Sequence, residues 1–186
     1  FTHPKENVIF IGWSKQPLTV IPTDGKAPQE MLQPKDSFTI METTTLYAVW
    51  AMDENGNHIP DYQESLSMNY DANGGSGSVI DEMTYHVKDQ VLVKDNAFTY
   101  PKENVIFIGW SKQPFTVILA DGKVPQEMLQ PKDSFTIMET TTLYAVWAMD
   151  ENGNHIPDYQ ESLSMNYDAN GGVGSVIDEM TYRVKD

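Results

Sequence analysis

The chain has 186 residues, with 12 Lys and Arg against 27 Asp and Glu, so its formal net charge is −15. Its hydrophobic fraction of 40% is enough for a packed core, whereas so acidic a chain disfavours binding to nucleic acid or to anionic lipid. The sequence has no apolar run long enough to cross a membrane and opens without a signal-peptide pattern, so we expect no membrane insertion. Because there is no cysteine, disulfides, zinc–thiolate sites, iron–sulfur clusters and cysteine nucleophiles are excluded.

A long internal repeat organises the chain. Residues 98–186 align without gaps on residues 1–89, and 82 of the 89 pairs are identical. An offset of 97 residues is too long for a solenoid unit, so each unit is predicted to be a small domain plus a linker. The seven differing pairs are His3/Tyr100, Leu18/Phe115, Pro22/Leu119, Thr23/Ala120, Ala27/Val124, Ser76/Val173 and His86/Arg183.

Composition predicts where the linkers lie. Residues 51–64 and their copy, residues 148–161, each hold four acids, no bases and many Asn, Gly and Pro residues, which is typical of a linker. We therefore expect residues 1–50 to be the C-terminal part of one repeat domain and residues 65–147 to be a complete repeat domain. Residues 162–186 are then the N-terminal part of the next repeat domain.

The complete repeat is predicted to be mainly β. Several short β-branched and aromatic segments alternate apolar with polar residues, as half-buried strands do. Asp121-Gly122 indicates a hairpin. We expect small β-grasp-like or sandwich-like domains; the alternative is an α+β fold with one short helix, for which Pro125–Leu129 offers a single turn. The predicted strands are Leu66–Tyr70, Met83–Val87, Gln90–Val93, Val105–Trp110, Phe115–Leu119, Phe135–Met138 and Thr142–Trp147.

Three motifs occur in order within residues 65–147: MNYDANGG at residues 68–75, VIFIGW at residues 105–110 and TTTLYAVW at residues 140–147. Together they resemble the Listeria–Bacteroides repeat domain, the family that includes the internalin B-repeats. Ser111 follows the central Gly-Trp pair, where internalin-type relatives often have Tyr. The resemblance implies a compact β module without catalytic activity, in a secreted or wall-anchored protein of a bacterial cell surface.

The first linker spaces its oxygen donors as a calcium loop does. Acceptor side chains stand at positions 1, 3, 5, 9 and 12 of a twelve-residue stretch, and the carbonyl of position 7 completes the set. Such hard oxygen donors wrap Ca²⁺, and a terminal Glu binds it with both oxygens. His58 stands at position 6, where a positive φ is usually needed and Gly is usual. The predicted ligands are Asp53, Asn55, Asn57, the Ile59 carbonyl, Asp61 and Glu64.

The second linker repeats this donor set, and both loops resemble the calcium loops of dockerins and thrombospondin type 3 repeats. Only three of the six donors are charged, which favours low affinity suited to millimolar extracellular calcium. The alternative is a flexible polar linker whose acids are solvated. The second set of predicted ligands is Asp150, Asn152, Asn154, Ile156, Asp158 and Glu161.

Nothing in the sequence indicates catalysis. The metalloprotease, nucleophile-elbow and phosphate-loop patterns do not occur, so we expect no enzyme. His3 and His86 are not retained in the other copy, which argues against a histidine-based site in both. Four aromatic residues could form a sugar-binding platform, but their positions in predicted strands favour the core; they are Phe107, Trp110, Tyr144 and Trp147.

These patterns predict a non-catalytic tandem-repeat module that acts as an adhesin stalk or spacer, stiffened by calcium in its linkers. The alternative is a ligand-binding module that recognises a host protein or a glycan through the region of residues 115–124, where four of the seven differences between copies fall. A tolerant exposed hairpin would show the same variation. The expected partners are neighbouring repeats and, through the incomplete terminal domains, another copy of the chain, because open strand edges recruit other strands.

Overall fold

The computed structural model describes residues 2–118 and 122–184, and the fold is mainly β, as predicted. Within these residues the regular structure consists of seven strands and two single-turn 3-10 helices, without an α-helix. The short helix of the α+β alternative is therefore absent from the described chain. Pro125–Leu129 contains a bend, and Leu129 forms an antiparallel bridge with Trp110 instead of continuing a helical turn.

The strands are β1 Val8–Ser14, β2 Tyr47–Met52, β3 Met68–Asp71, β4 Gln90–Leu92, β5 Val105–Ser111, β6 Ser134–Thr136 and β7 Thr141–Met149. They form three small sheets, with the orders β1-β2, β3-β7-β5 and β4-β6. The 3-10 helices are Asp61–Gln63 and Asp158–Gln160. No helix in residues 2–118 and 122–184 is both long and apolar enough to span a membrane.

Two of the predicted strands form only isolated bridges. In the Met83–Val87 segment, Tyr85 bridges Leu66 in antiparallel fashion. In the Phe115–Leu119 segment, Ile118 forms a parallel bridge with Ala148, and Leu119 lies outside the described residues. Apolar alternation predicts which side chains are buried, but a ladder also needs a partner backbone along its length.

The predicted Asp-Gly hairpin can be followed in the first copy only, because Asp121 lies outside the described residues. There, Asp24-Gly25 lies in a turn in which the Gly25 N–H donates to the Pro22 carbonyl at 2.9 Å. Ile21, however, pairs with Ala51 in a parallel bridge and not with a hairpin partner. Pro22 has no N–H with which to extend that ladder.

The chain divides into two compact units. Each unit has a small cluster of fully buried side chains at equivalent positions of the repeat. In the first unit the cluster is Ile21, Val49 and Ala51; in the second it is Ile118, Val146 and Ala148. The first unit comprises Phe1–Met68, Asp81–Val91 and Ser134–Thr141, and the second comprises Asn69–Ile80, Leu92–Asp133 and Thr142–Asp186.

A β-bulge explains the glycine of the central Gly-Trp motif. β5 pairs antiparallel with β7, and the register shifts between Phe107 and Gly109. Gly109 has φ +150°, and a Cβ there would lie 3.0 Å from the Leu129 carbonyl oxygen and 2.8 Å from Met128 Cγ. A side chain is therefore excluded at this position, and the bulge directs Trp110 into the interior.

The MNYDANGG motif has a structural role as well. Asn73 adopts a left-handed conformation with φ +48°. Its amide donates to the carbonyls of Phe115 at 2.7 Å and Ala145 at 2.9 Å. The Trp147 indole N–H donates to the Ala72 carbonyl at 2.8 Å. These bonds tie the loop that follows β3 to Phe115 and to β7, so the motif holds the loop against the sheet.

Trp110 and Trp147 belong to the core, as their strand positions predicted. Trp110 is 0% exposed and Trp147 is 3% exposed. Tyr70 and Phe107 both pack edge-on against Trp110 with ring centroids 4.9 Å apart. Side chains so buried cannot present a face to a sugar, so these two rings do not form a sugar-binding platform. Phe107 and Tyr144 are half-buried.

Candidate functional site

The first linker loop starts directly from β2. That strand runs to Met52, two residues into the predicted linker, because Ala51 and Met52 are buried and paired with β1. Asp53 follows, and its N–H donates to the Asn7 carbonyl at 2.9 Å. The sheet therefore fixes the position of the first predicted ligand, and β2 extends two residues into the segment that composition predicts as linker.

Asp53 anchors the turn of the loop. Its side chain is buried, with 3% exposure, and its two carboxylate oxygens accept the N–H groups of Asn57 at 3.0 Å and His58 at 3.1 Å. His58 has φ +68° and Gly56 has φ +72°, which curl the backbone around the carboxylate. The positive φ expected for position 6 is thus observed at His58, a residue type that tolerates it better than most.

Three further predicted ligands, Asn55, Asn57 and Glu64, contact one another. Asn57 Nδ2 lies 2.7 Å from Glu64 Oε1, and Asn55 Nδ2 lies 3.2 Å from Glu64 Oε2. Asn57 Oδ1 accepts the Ile59 N–H at 2.8 Å. Positions 3, 5 and 12 are therefore in direct contact across nine residues of chain.

Asp61, at position 9, opens the first 3-10 helix after Pro60 and is fully buried. Its carboxylate accepts the Glu54 N–H and the Thr23 hydroxyl, both at 3.0 Å. Burial raises the pKa of the Asp61 carboxyl; these hydrogen bonds oppose the rise, and the nearby Glu54 and Glu64 charges add to it. The charged form of Asp61 is thus held in a site that disfavours it unless positive charge is supplied.

The second loop repeats this arrangement. Asp150 is 2% exposed and accepts the N–H groups of Asn154 at 3.1 Å and His155 at 3.0 Å. Asp158 is 1% exposed and accepts the Glu151 N–H at 3.0 Å. The remaining contacts are those of Glu161 with Asn154 at 2.7 Å and with Asn152 at 3.0 Å, and the Ile156 N–H donates to Asn154 Oδ1 at 2.8 Å.

The chemistry of this donor set fits a hard cation. In each loop it combines three carboxylates, two amides and one backbone carbonyl, which are the ligand types that Ca²⁺ takes. In the described part of the chain, no ion pair is formed by Asp53, Asp61 or Glu64. Among residues 2–118 and 122–184, no group of three or more His, Cys, Asp or Glu side chains is placed to hold a metal ion.

The amide orientation adds a requirement. Asn55 and Asn57 both direct Nδ2 toward Glu64. Calcium binds oxygen and not an amide nitrogen, so ligation by Glu64 together with these two residues requires the amides to turn. In the structure the loop brings these three side chains within hydrogen-bond distance of one another.

Sequence reasoning missed the residues that hold the first loop in place. Glu54 forms an ion pair with Lys88 at 2.7 Å and accepts the Asn7 amide at 3.0 Å, and the Lys88 hydrogen bond lowers the pKa of Glu54. Asn55 Nδ2 also donates to the Met138 carbonyl at 2.9 Å. These partners lie 34 to 83 residues away in sequence, as the separations of the three pairs show, and no local pattern marks them.

An open groove of about 510 Å³ lies elsewhere, in the second unit. Tyr100 and Phe115 line it, and both are positions at which the two copies differ, since the first copy has His3 and Leu18. Tyr100 packs at a tilt on Trp147, with ring centroids 5.2 Å apart. The groove thus presents two aromatic side chains that the first copy lacks.

Comparisons of this chain with protein-family models, with curated proteins and with solved structures found no match. The three sequence motifs and the loop sequence each occur twice within the chain.

Proposed function

We propose that this chain is a non-catalytic tandem-repeat spacer of a bacterial surface protein, with linkers that bind calcium and become stiffer. One observation carries the proposal. Two loops 97 residues apart both bury the carboxylates of positions 1 and 9 and bring Glu at position 12 against the amides of positions 3 and 5. A solvated polar linker has no reason to bury two carboxylates.

Calcium would act on the charge within each loop. Asp53, Asp61 and Glu64 bring three negative charges to a short segment, and burial without a counter-charge is unfavourable. A divalent cation shared by these groups offsets most of that charge and cross-links the beginning of the loop to its end. The calcium-free loop is then the looser form.

The contacts of the first loop explain how fixing its conformation would restrain the repeats on either side. Asn7 and Thr23, in residues 1–50, bond to Glu54 and Asp61. His86 Nδ1 lies 3.2 Å from the Glu64 carbonyl oxygen, and Lys88 and Met138 contact Glu54 and Asn55. A loop that is fixed by calcium therefore restrains segments that precede it and segments that follow it.

An extracellular, cell-surface location follows from the same features. Loops with only three charged ligands suit the millimolar calcium found outside cells better than the much lower cytosolic level. The lack of cysteine and the motif resemblance to the Listeria–Bacteroides repeats are consistent with a surface protein. In this proposal the partners of each repeat are its neighbours in the same protein.

Isothermal titration with calcium tests the loops. The unmodified chain is expected to bind two calcium ions with millimolar or tighter affinity. The single variants Glu64→Gln and Glu161→Gln are each expected to bind one ion, and the double variant is expected to bind none. Glu30→Gln is the matched control, because it removes an exposed carboxylate that lies outside both loops. Absence of binding heat in a folded chain would overturn the proposal, as would equal loss of binding in the control.

A distance measurement tests the stiffening. Because the chain has no cysteine, Glu30→Cys and Glu127→Cys place two spin labels at equivalent exposed positions of successive repeats. Calcium is expected to narrow the distribution of distances between the labels and to leave it unchanged in the Glu64→Gln background. If calcium binds but the distribution does not narrow, the loops are calcium sites without a mechanical role.

Ligand binding is the second candidate, favoured by the Tyr100 and Phe115 groove. Its ligand would be a glycan or a host peptide that stacks on aromatic side chains. The test is an array of glycans and host proteins probed with the chain and with Tyr100→His/Phe115→Leu, which gives the groove the residues of the first copy. Loss of a hit in this variant supports binding by the groove; retention assigns the hit to another surface.

A further inference from the structure

Each predicted calcium loop contains an Asn-Gly pair at its positions 3 and 4, Asn55-Gly56 in the first loop and Asn152-Gly153 in the second. In such a pair the backbone nitrogen of glycine can attack the side-chain amide of asparagine, because glycine has no Cβ to obstruct the approach. Gly56 and Gly153 are exposed, and a Cβ added to either would meet no atom within 4 Å. The backbone therefore has room to rearrange at both pairs.

The side-chain carbonyl of each of these asparagines already accepts a hydrogen bond. Asn55 Oδ1 accepts the Asn57 N–H at 3.2 Å, and Asn152 Oδ1 accepts the Asn154 N–H at 3.1 Å. Attack on the amide carbon places negative charge on this oxygen, and a donor that is held beside it stabilises that charge. The backbone of each loop thus supplies a donor for the intermediate that the attack forms.

The amide nitrogen of each asparagine faces a carboxylate. Asn55 Nδ2 lies 3.2 Å from Glu64 Oε2, and Asn152 Nδ2 lies 3.0 Å from Glu161 Oε2. This nitrogen takes up a proton before it leaves as ammonia, and a neighbouring negative charge favours the protonated form. A hydrogen-bond donor and a carboxylate therefore lie beside the two atoms of the amide on which charge develops during the attack.

The Asn73-Gly74 pair of the complete repeat has a different environment. Asn73 Nδ2 donates to the backbone carbonyls of Phe115 at 2.7 Å and Ala145 at 2.9 Å, which ties the amide to the sheet. In the described part of the chain, Asn73 Oδ1 accepts no hydrogen bond from another residue. A Cβ on Gly74 would lie 3.5 Å from the Tyr100 ring. The same dipeptide therefore occurs in an open loop and in a packed turn.

We propose that Asn55 and Asn152 are sites of spontaneous deamidation, which converts position 3 of each loop into a carboxylate. The nitrogen of Gly56 forms a bond to Asn55 Cγ, the Cγ–Nδ2 bond breaks, and the hydrogen of the Gly56 N–H leaves with Nδ2 as ammonia. Water then opens the five-membered imide. Opening at one carbonyl gives aspartate and opening at the other gives isoaspartate, with no oxidation or reduction. Asn152 and Gly153 react in the same way.

The effect of deamidation on calcium binding rests on the proposed function of the loops. Aspartate at position 3 adds a carboxylate to those of Asp53, Asp61 and Glu64, and it offers oxygen where Asn55 now directs Nδ2 toward Glu64. This product is expected to bind calcium more tightly and to repel Glu64 when calcium is absent. Isoaspartate lengthens the backbone and displaces the carboxylate, so it is expected to bind calcium more weakly.

The test of the modification itself is made without calcium. The full chain is kept in warm neutral buffer with EDTA and digested at intervals, and mass spectrometry locates each conversion. Trypsin releases residues 36–88 and 133–183 as separate peptides of different sequence, so both loops are followed at once. Asn55 and Asn152 are expected to convert several-fold faster than Asn73 in the folded chain, and at similar rates to Asn73 in urea. Equal rates in the folded chain overturn the proposal.

Two variants of the first loop test the mechanism, with the second loop as an internal control. Gly56→Ala obstructs the attack, and Glu64→Gln removes the carboxylate beside Asn55 Nδ2. Each is expected to slow the conversion of Asn55 several-fold and to leave that of Asn152 unchanged. Near-ultraviolet circular dichroism of the buried tryptophans checks that both variants are folded. An unchanged rate at Asn55 in both variants overturns the proposal.

Calcium titration tests the consequence. Asn55→Asp/Asn152→Asp carries the aspartate product in both loops and is expected to have a dissociation constant several-fold below that of the unmodified chain; equal constants overturn the predicted gain. Gln29→Glu/Gln126→Glu is the control, because it adds the same charge at equivalent exposed positions outside the loops. Preferential deamidation in a chain that binds no calcium overturns the proposed function alone. Calcium binding without preferential deamidation overturns the modification alone.

Discussion

Trp110 shows what a single residue contributes to this fold. It is fully buried, and its indole N–H donates to the Lys94 carbonyl at 3.1 Å. Trp110→Ala is expected to lower the free energy of unfolding by about 3–5 kcal/mol, because it leaves a cavity in the core. Urea unfolding measures the loss. Trp13→Ala, at the half-buried equivalent position, is expected to cost clearly less in the monomer, and equal costs would contradict the difference in burial.

Asp61 makes stability depend on pH in a direction opposite to that of most paired carboxylates. Its pKa is raised by burial in the folded chain. Its stabilising contribution is therefore complete below the pKa of the unfolded state and is lost as the pH rises through the folded pKa. In EDTA at neutral pH, Asp61→Asn is expected to melt at a higher temperature than the unmodified chain, and the difference is expected to shrink on acidification toward about pH 4.

In the presence of calcium, Asp61→Asn is expected to have the opposite effect on the melting temperature. It removes a predicted ligand, so the melting temperature of Asp61→Asn is expected to gain less from calcium than that of the unmodified chain. Asp24→Asn removes a carboxylate on an exposed residue and is the control in both conditions. If Asp61→Asn lowers the melting temperature in EDTA at neutral pH, the hydrogen bonds that the Asp61 carboxylate accepts from Glu54 and Thr23 stabilise the fold by more than the burial of its charge destabilises it.

At the scale of the element, the bulge in the β5–β7 hairpin leaves no room for a side chain at Gly109. Gly109→Ala is expected to destabilise the chain by about 1–3 kcal/mol, because the new Cβ meets Leu129 and Met128 and the backbone must keep a positive φ. Thermal unfolding measures the effect. Gly174→Ala is the matched control, since Gly174 also has positive φ but has no atom within 4 Å of the added Cβ. If both variants lose the same melting temperature, the positive φ accounts for the whole effect and the contacts with Leu129 and Met128 contribute nothing.

A comparison of the predicted and observed strands shows where sequence patterns were sufficient to predict a strand. Val105–Trp110 and Thr142–Trp147 were predicted within one to two residues of β5 and β7. Their β-branched and aromatic residues pair along the whole length of a partner strand. Met83–Val87 has a similar composition, but its one bridge within the described part of the chain is that of Tyr85 with Leu66. Composition reports the preference of a segment, and the neighbouring chain decides how much of it pairs.

At the scale of the molecule, the acidic charge governs how salt and calcium act. With a net charge of −15, added NaCl is expected to raise the melting temperature by screening repulsion. Calcium is expected to raise it further than NaCl of equal ionic strength, because it binds the folded loops. The calcium-specific part is expected to vanish in Glu64→Gln/Glu161→Gln, measured by differential scanning calorimetry. A calcium effect that survives in this variant is general screening.

The sequence by itself determined the features that depend on residue type and local spacing. The 97-residue repeat, the mainly β character and the order of oxygen donors in the loops all follow from the printed residues. The positive φ of His58 also follows locally, because the loop curls through a position where few side chains are tolerated. Apart from the repeat itself, each of these features depends on the residues of one short segment of the chain.

Only the tertiary structure decided which of these residues are buried and what holds them. Asp53 and Asp61 are buried although the segment is as polar as any linker, and the contacts from Asn7, Thr23 and Met138 come from distant parts of the chain. Ile40 and Ile137 show the reason most clearly, since identical local sequences leave one exposed and bury the other. Burial depends on the segments that pack from elsewhere in the chain, and a local sequence cannot specify whether those segments are present.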